Sequence, residues 1–349
     1  MLARFHLSLS RWQTAALFVL SSLWVVISER HLWDSWDYVR FGDLVYGTAP
    51  RPYVARSFMP FLIRSVKSLI PSSLEPSING FLNRYPILSA AHGWETMKIE
   101  RTIFLVLNII AFTLAAYGIR RLMRLSNLSE RWSVIATVMT ICSIPAYLMY
   151  ITYIYDAPAI ALFTWSLVFL AMESWPVYLV TFAICLWNKE TGVFLALIFG
   201  LVYLQQIRSL NRKTLLLLTF QVVIAAGIAI WKSAAFSGNP GSILEWHLAD
   251  RKTILFVYSI QTYVTILALI FLLAYRYRSQ HIVLRRGITV LPILIGLAFF
   301  FGMLDEYRAY FEALPIVATM ISVSVWNLGT SLGIVYGKPL AESEIATIS

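Results

Sequence analysis

The chain has 349 residues, of which 59% are hydrophobic and only 13% are charged, and it carries a formal net charge of +10. A soluble domain needs about a quarter charged residues to cover its surface, so this composition excludes a soluble protein. The basic residues stand at the ends of apolar runs, which is typical of membrane topology rather than of nucleic-acid binding. Both cysteines, Cys142 and Cys185, fall inside apolar runs and are predicted to pack there.

Charge-free stretches follow one another along the whole chain and predict a single polytopic membrane domain over residues 1–349. A helix needs about 20 residues to cross roughly 30 Å of hydrocarbon, and its closed backbone hydrogen bonding suits a lipid environment. The first run lacks a small-residue cleavage site, so it is predicted to be a retained span. About ten transmembrane helices are expected, over residues 12–28, 102–119, 132–155, 157–172, 174–188, 191–207, 214–231, 253–275, 287–304 and 313–337.

The charges of the connecting segments predict the orientation. With the N-terminus in the cytoplasm, 14 basic residues fall in cytoplasmic segments and five in the short outer loops, as the positive-inside rule requires. Ten spans then return the C-terminus to the cytoplasm. Fourteen of the 18 acidic residues lie outside and none stands within a span, so the chemistry of the protein is predicted to face outward.

The first outer loop, residues 29–101, is too long to be a plain connection. Part of it has an apolar helical face opposite a polar one, which predicts an amphipathic helix lying in the membrane interface at about residues 57–70. The apolar face consists of Met59, Leu62, Ile63, Val66, Leu69 and Ile70.

Two of the predicted spans are short, so the charges beside them are expected to lie below the membrane surface. The stretch 174–188 reaches only about 22 Å as a helix, and it is followed by Lys189 and Glu190. Asp156 precedes the other short span. Charges persist at that depth only beside a water-filled cavity or inside protein. An outward-open polar cavity is therefore predicted, and interfacial charges in a thinned bilayer are the alternative.

The remaining chemistry-bearing residues form no catalytic or metal-binding signature. The chain contains no Gly-rich phosphate loop, no metal-binding helix motif and no nucleophile elbow, and its five histidines are scattered. Near the C-terminal end, Asp305, Arg308 and Glu312 can share one helical face. No cofactor is predicted, and dependence on a divalent metal stays open.

Five segments, in order along the chain, resemble polytopic glycosyltransferases of the GT-C fold class, of the bacterial type that uses polyprenyl-phosphate-linked sugars. The resemblance covers the whole chain, although Lys189 stands where these proteins commonly have arginine, and Asp34 and Asp37 are three residues apart rather than a closer acidic pair. The segments are Trp33-Asp34-Ser35-Trp36-Asp37-Tyr38, Tyr53-Val54-Ala55-Arg56-Ser57-Phe58-Met59-Pro60, Tyr155-Asp156, Asn188-Lys189-Glu190-Thr191-Gly192, and Glu306-Tyr307-Arg308 with Pro315.

The resemblance implies transfer of a sugar from a polyprenyl-phosphate carrier to the hydroxyl of a lipid, glycan or protein acceptor. The reaction would invert the anomeric carbon on the extracytoplasmic face of a bacterial inner membrane. A phosphate leaving group needs little acid assistance, so one carboxylate can serve as the base while cations neutralise the phosphate. On this basis Asp34 is the expected base and Asp37 the second choice. The expected phosphate contacts are Arg56, Lys189 and Arg308, and the supporting acids are Asp156, Glu190, Asp305 and Glu306.

Two other functions stay open. One is a non-catalytic subunit or scaffold of a membrane assembly with the same fold, and the other is a lipid or solute transporter. A transporter is expected to show internal repeats and charges in mid-span, and the sequence shows neither. Arg56 has a structural alternative of its own, as a snorkelling side chain on the interfacial helix.

Overall fold

The computed structural model describes residues 9–29, 40–84, 97–147, 152–242, 260–301 and 307–332. Within these ranges every regular element is a helix and there is no β-strand. Four residues with predicted roles, Asp34, Asp37, Asp305 and Glu306, lie outside the described residues.

The described residues contain α-helices and short 3₁₀-helices. The α-helices are α1 Arg11–Glu29, α2 Phe41–Tyr46, α3 Phe58–Ser68, α4 Glu75–Asn83, α5 Lys98–Leu125, α6 Glu130–Tyr147, α7 Asp156–Ala171, α8 Trp175–Asn188, α9 Phe194–Val202, α10 Leu204–Arg208, α11 Arg212–Ala235, α12 Ile260–Ala274, α13 Ile282–Gly287, α14 Val290–Phe301 and α15 Leu314–Ser331. Short 3₁₀-helices cover Tyr53–Ala55, Glu190–Val193, Tyr277–Ser279 and Tyr307–Tyr310.

Several of these helices have the length and composition of membrane spans. Five are long and apolar enough to cross a bilayer, and they are Arg11–Glu29, Lys98–Leu125, Arg212–Ala235, Ile282–Phe300 and Leu314–Ser331. Shorter apolar helices cover Asp156–Ala171, Trp175–Asn188, Glu190–Val202 and Tyr263–Ala274. An all-helical, membrane-type architecture is thus confirmed for the described residues, whereas ten spans and the GT-C arrangement stay predictions.

The helix ends differ from the predicted spans for a physical reason. The stretch predicted at 102–119 is a helix from Lys98 to Leu125, because backbone hydrogen bonding continues into charged flanks that can reach the interface. The stretch predicted at 191–207 is interrupted near Tyr203, where one helix ends and the next begins. Charge-free stretches therefore mark the apolar part of a helix and not its ends.

The core forms where α5 packs along α7 and α7 packs along α8. Gly118 on α5 faces Thr164 on α7, and a Cβ at Gly118 would come within 2.6 Å of Thr164 Cγ2. A glycine at this position allows the two helices to approach closely, as small residues do between membrane helices. The Trp165 indole donates a hydrogen bond to the carbonyl of Leu114 at 2.9 Å across the same pair.

Helix α3, Phe58–Ser68, lies within the predicted range 57–70 and contacts α2, α5 and α8. Two residues of the predicted apolar face, Met59 and Ile63, are buried by other parts of the protein, whereas Val66 and Leu69 are exposed. The helix is therefore partly a packing element, because Met59 and Ile63 pack against the protein while the apolar residues nearer its C-terminal end do not. Its position in a membrane interface stays a prediction.

Candidate active site

Polar side chains gather where three distant segments of the chain meet. Arg56 Nε donates to both carboxylate oxygens of Glu190, at 3.1 and 3.2 Å, and Arg56 Nη2 donates to Oε1 of the same group. Arg56 Nη1 donates to the Tyr155 hydroxyl. The guanidinium carbon also lies 4.6 Å from the centroid of the Tyr155 ring. Arg56 thus joins the first loop to the segment before α7 and to the turn after α8.

The guanidinium of Arg56 rests against a group of tyrosines. The rings of Tyr153 and Tyr155 stack with their centroids 5.2 Å apart, and the ring centroid of Tyr53 lies 5.3 Å from that of Tyr153. Burial alone would lower the pKa of Arg56, but the charge of Glu190 and the Tyr155 hydroxyl raise it above its ordinary value. Arg56 is therefore a fixed cation on an aromatic surface, a favourable setting for its planar guanidinium.

The turn after α8 is shaped by its glycine. Lys189 is extended, with φ −153° and ψ 138°, and a 3₁₀-helix begins at Glu190. A Cβ on Gly192 would lie 2.9 Å from the backbone nitrogen of Leu186, so only glycine fits where the turn folds back against α8. This close return places Lys189 and Glu190 beside two different partners.

Lys189 forms a buried ion pair. Its Nζ lies 2.8 Å from Glu312 Oε1, and the exposed fractions of the two side chains are 9% and 1%. The Thr191 hydroxyl donates to the same oxygen, while Glu312 Oε2 is buried with no hydrogen-bond partner in the described part of the chain. The pair ties the turn after α8 to the segment that leads into α15.

Asp156 and Asn188 stabilise the same region from inside. Asp156 Oδ2 accepts the backbone N–H of Tyr153 at 2.8 Å, and Asp156 lies within electrostatic range of Glu29 at the end of α1. Asn188 Nδ2 donates to the carbonyl of Tyr155 at 2.9 Å. Within the Tyr155-Asp156 segment that carries the resemblance, Tyr155 is the residue that accepts a hydrogen bond from Arg56.

The predicted outward-open cavity differs from what is observed at these positions. Asp156, Asn188 and Lys189 are buried among protein atoms, whereas the side chain of Glu190 is 52% exposed. A charge at membrane depth is tolerated either beside a water-filled cavity or inside protein. Asp156 and Lys189 lie inside protein, where the backbone N–H of Tyr153 and the carboxylate of Glu312 are their partners. Among the charged residues of this turn, the exposed carboxylate is the one that holds Arg56.

The first loop is fastened over the helix ends by several hydrogen bonds. The Trp187 indole donates to Ser57 Oγ at 3.0 Å. Asn239 Nδ2 donates to the carbonyls of Gly47 and Ala49 at 2.9 and 3.0 Å. These bonds hold the loop beside the C-terminal ends of α8 and α11 and fix the position from which Arg56 extends.

Three residues of the site had no predicted role in it. Tyr155 belongs to a segment that carries the resemblance but had no assigned contact, and Glu312 was considered only with its local neighbours. Lys232, in the last turn of α11, donates to the carbonyl of Leu186 at 2.8 Å and lies within electrostatic range of Arg56 and Glu190. The only sequence signal for Lys232 is a charge at the end of an apolar run, which does not identify a partner.

Arg308 belongs to the 3₁₀-helix Tyr307–Tyr310, and its side chain lies outside the described part of the structure. No group of three or more His, Cys, Asp or Glu residues that could hold a metal ion occurs within the described ranges. Comparison of the chain with protein families, with curated proteins and with solved structures found no match.

Proposed function

We propose that the protein is an inverting glycosyltransferase that moves a sugar from a polyprenyl-phosphate carrier to an acceptor hydroxyl on the extracytoplasmic face of a membrane. The observation that supports this proposal is the junction at Arg56. Three segments that resemble GT-C enzymes, 53–60, 155–156 and 188–192, meet there through the contacts of Arg56 with Tyr155 and Glu190. If the three short resemblances were accidental, the segments would not be expected to lie next to one another in the fold. Their meeting at Arg56 therefore supports the proposal.

Arg56 has the chemistry of a phosphate contact in this proposal. A guanidinium carries five N–H donors, and the contacts in the described structure engage three of them, one on each nitrogen. Two N–H groups are thus available to an anionic ligand, in the planar geometry that suits phosphate oxygens. Lys232 is the second cation in the proposal, because it lies within electrostatic range of Arg56 and Glu190, and its ammonium is positioned by the carbonyl of Leu186.

Lys189 has a different role in the proposed mechanism from the one expected. Its ammonium is buried against Glu312, so it positions the turn that carries Glu190 rather than contacting phosphate. Glu190 holds the guanidinium of Arg56 in one orientation while staying accessible to solvent. Arg56 and Lys232 therefore neutralise the charge that develops on the leaving phosphate, as fixed cations do in phosphate-transfer sites.

The base in the proposal is Asp34, with Asp37 as the second choice. Asp34 is chosen because it stands in the Trp33–Tyr38 segment that resembles the opening loop of GT-C enzymes. Glu29 lies within electrostatic range of Asp156, whose neighbour Tyr155 contacts Arg56. In the proposal a carboxylate of this segment accepts the proton of the acceptor hydroxyl.

The test is transfer of labelled sugar from polyprenyl-phosphate hexoses and pentoses by the purified chain in liposomes. Asp34→Asn keeps the size of the side chain but cannot accept a proton, so turnover should fall by about 10²–10⁴-fold. The matched control is Asp43→Asn in the same loop. Asp43 accepts a hydrogen bond from the Thr48 hydroxyl, which an amide oxygen also accepts, so this variant should keep wild-type turnover.

Other outcomes of this experiment point elsewhere. Full activity in the Asp34→Asn/Asp37→Asn double variant would exclude a base in this segment. Binding of the carrier lipid without turnover of any sugar would favour the scaffold, and movement of an intact lipid or solute across the liposome membrane would favour the transporter.

A further inference from the structure

A second polar site lies at the other end of α3, away from Arg56. Arg56 precedes α3, and Lys67 stands in its last turn, about 13 Å along the helix from Phe58. Beyond Lys67 a cleft of about 530 Å³ opens between α2, α3, α4 and the start of α5. The side chains that matter for its chemistry are Tyr46, Lys67, Glu75, Asn79, Lys98 and Glu100.

One wall of the cleft is a preorganised polar network. The Glu100 side chain is only 5% exposed and forms an ion pair with Lys67. The Tyr46 hydroxyl donates to Glu100 Oε1 at 2.7 Å, and Lys67 Nζ lies 3.2 Å from that hydroxyl. The hydrogen bond to Glu100 raises the pKa of Lys67 above its ordinary value, so the ammonium stays charged. These three groups satisfy one another and form a fixed wall.

The opposite charges that stay available belong to Glu75 and Lys98. Glu75 lies in the first turn of α4, and its carboxylate has no partner among the described residues. Lys98 donates to Asn83 Oδ1, which engages one of its three N–H groups. The cleft is lined by two lysines and two glutamates. Its charges therefore cancel, and a polyanion would gain little electrostatic attraction there. A ligand that carries both an ammonium and an anionic group complements Glu75 and Lys98 together.

Large apolar side chains are exposed on the same segments. Leu69 at the end of α3 is 80% exposed, Leu74 before α4 is 51% exposed and Phe81 on α4 is 57% exposed. Exposed apolar residues of this size next to a polar cleft indicate contact with a membrane or another apolar partner. The combination of a zwitterion-binding cleft and apolar surroundings matches a phospholipid, whose headgroup and acyl chains differ in the same way.

We propose that this cleft binds the headgroup of a zwitterionic phospholipid with a primary ammonium, of the phosphoethanolamine class. The ammonium lies against Glu75 and the phosphate against Lys98, with the acyl chains along Leu69, Leu74 and Phe81. The proposal does not rest on glycosyl transfer, since the cleft shares none of its lining residues with the junction at Arg56.

The test is a lipid titration followed by native mass spectrometry of the full chain in a mild detergent. Phosphatidylethanolamine, phosphatidylcholine and phosphatidylglycerol with identical acyl chains are compared, together with soluble glycerophosphoethanolamine. Phosphatidylethanolamine should bind about tenfold more tightly than phosphatidylcholine, because a primary ammonium donates charge-assisted hydrogen bonds to Glu75 and a trimethylammonium cannot.

Variants separate the two ends of the headgroup. Glu75→Gln should reduce phosphatidylethanolamine binding to the level of phosphatidylcholine, and Lys98→Gln should weaken both lipids alike through the loss of the phosphate contact. Arg84→Gln changes a basic residue just after α4 that does not line the cleft, so it should leave all affinities unchanged.

Three results would overturn the proposal. The first is equal binding of the two zwitterionic lipids to the wild type, or a preference that survives Glu75→Gln. The second is tighter binding of phosphatidylglycerol, which would identify an anion site. The third is binding of glycerophosphoethanolamine as tight as that of the lipid, which would assign the cleft to a free headgroup compound.

Discussion

Lys189 and Glu190 are neighbours in one turn, yet their ion pairs differ in environment. The Lys189–Glu312 pair is buried, with exposed fractions of 9% and 1%. In the Arg56–Glu190 pair the fractions are 14% and 52%. Removing one member of a buried pair leaves a desolvated charge, which is strongly destabilising. A half-exposed carboxylate is solvated by water and can share its cation with a ligand at little cost. We therefore assign stability to the first pair and ligand binding to the second.

The largest expected effect is on the buried pair. Glu312→Leu leaves the Lys189 ammonium buried without its counter-ion and removes the acceptor of the Thr191 hydroxyl. The free energy of unfolding should fall by about 3–5 kcal/mol. Denaturant unfolding of the purified protein in micelles measures this change.

The control for this prediction is the Lys189→Met/Glu312→Leu double variant. It replaces both charges by apolar groups, so much of the lost stability should return, since buried ion pairs can be exchanged for apolar residues at little cost. A Glu312→Leu protein that unfolds at the wild-type denaturant concentration would show that the pair contributes nothing to stability.

An intermediate effect is expected for the exposed pair. Arg56→Lys keeps the positive charge but loses the two-nitrogen contact with Glu190 and the bond to Tyr155. The transition state should lose about 1–3 kcal/mol of stabilisation, which is roughly 5–160-fold in turnover. Unfolding should change little, because Glu190 is solvated in either case. Initial rates over a range of donor concentrations measure the effect.

Arg120→Lys is the matched control, because Arg120 also contacts a half-exposed glutamate, Glu130, through Nε and Nη2. Arg120 lies in the C-terminal part of α5, outside the proposed site, so this variant should keep wild-type turnover. Equal losses in the two variants would mean that Arg56 has no special part in the reaction.

The smallest effect is expected for Tyr155→Phe. The variant loses the hydroxyl that accepts from Arg56 Nη1 but keeps the ring on which the guanidinium rests. A hydrogen bond to a charged group contributes about 1.5–3 kcal/mol, and the loss should lie at the lower end because the guanidinium keeps its contacts with Glu190. Turnover should therefore fall by about 15-fold or less. The same rate assay measures it.

Tyr203→Phe provides the comparison, because Tyr203 also loses a hydroxyl that is hydrogen-bonded to another side chain. Its hydroxyl donates to Glu173 Oε1 at 2.9 Å, at the other end of α8 and α9, and its loss should not change the rate. A larger loss in Tyr155→Phe than in Arg56→Lys would reverse the order of importance that the exposed pair suggests.

Much of the helical framework could be predicted from the sequence, because apolar runs and charged ends are local features. The helix at Phe58–Ser68 follows from its amphipathic spacing. The interruption near Tyr203 could not be predicted, since the run around it is free of charges and contains no proline. The division of the apolar face between buried Met59 and exposed Val66 could not be predicted either, because periodicity shows which residues share a face and not how far neighbouring helices cover that face.

The candidate site divides in the same way. Arg56, Lys189 and Glu190 attract attention in the sequence because they are charges beside short apolar runs. Their partners could not be predicted, since Arg56 and Glu190 are 134 positions apart. Glu312 shares a predicted local face with Asp305 and Arg308, but it pairs with Lys189 across the bundle.

The sequence by itself determined that the chain is an all-helical membrane-type protein and which charges stand at the ends of its apolar runs. Both depend on composition and on spacing within a few turns of helix. Only the tertiary structure decided that Lys189 is buried against Glu312 while Glu190 stays exposed beside Arg56. That choice depends on which helix ends pack together and on the close return of the chain at Gly192, where a side chain would meet the backbone of α8.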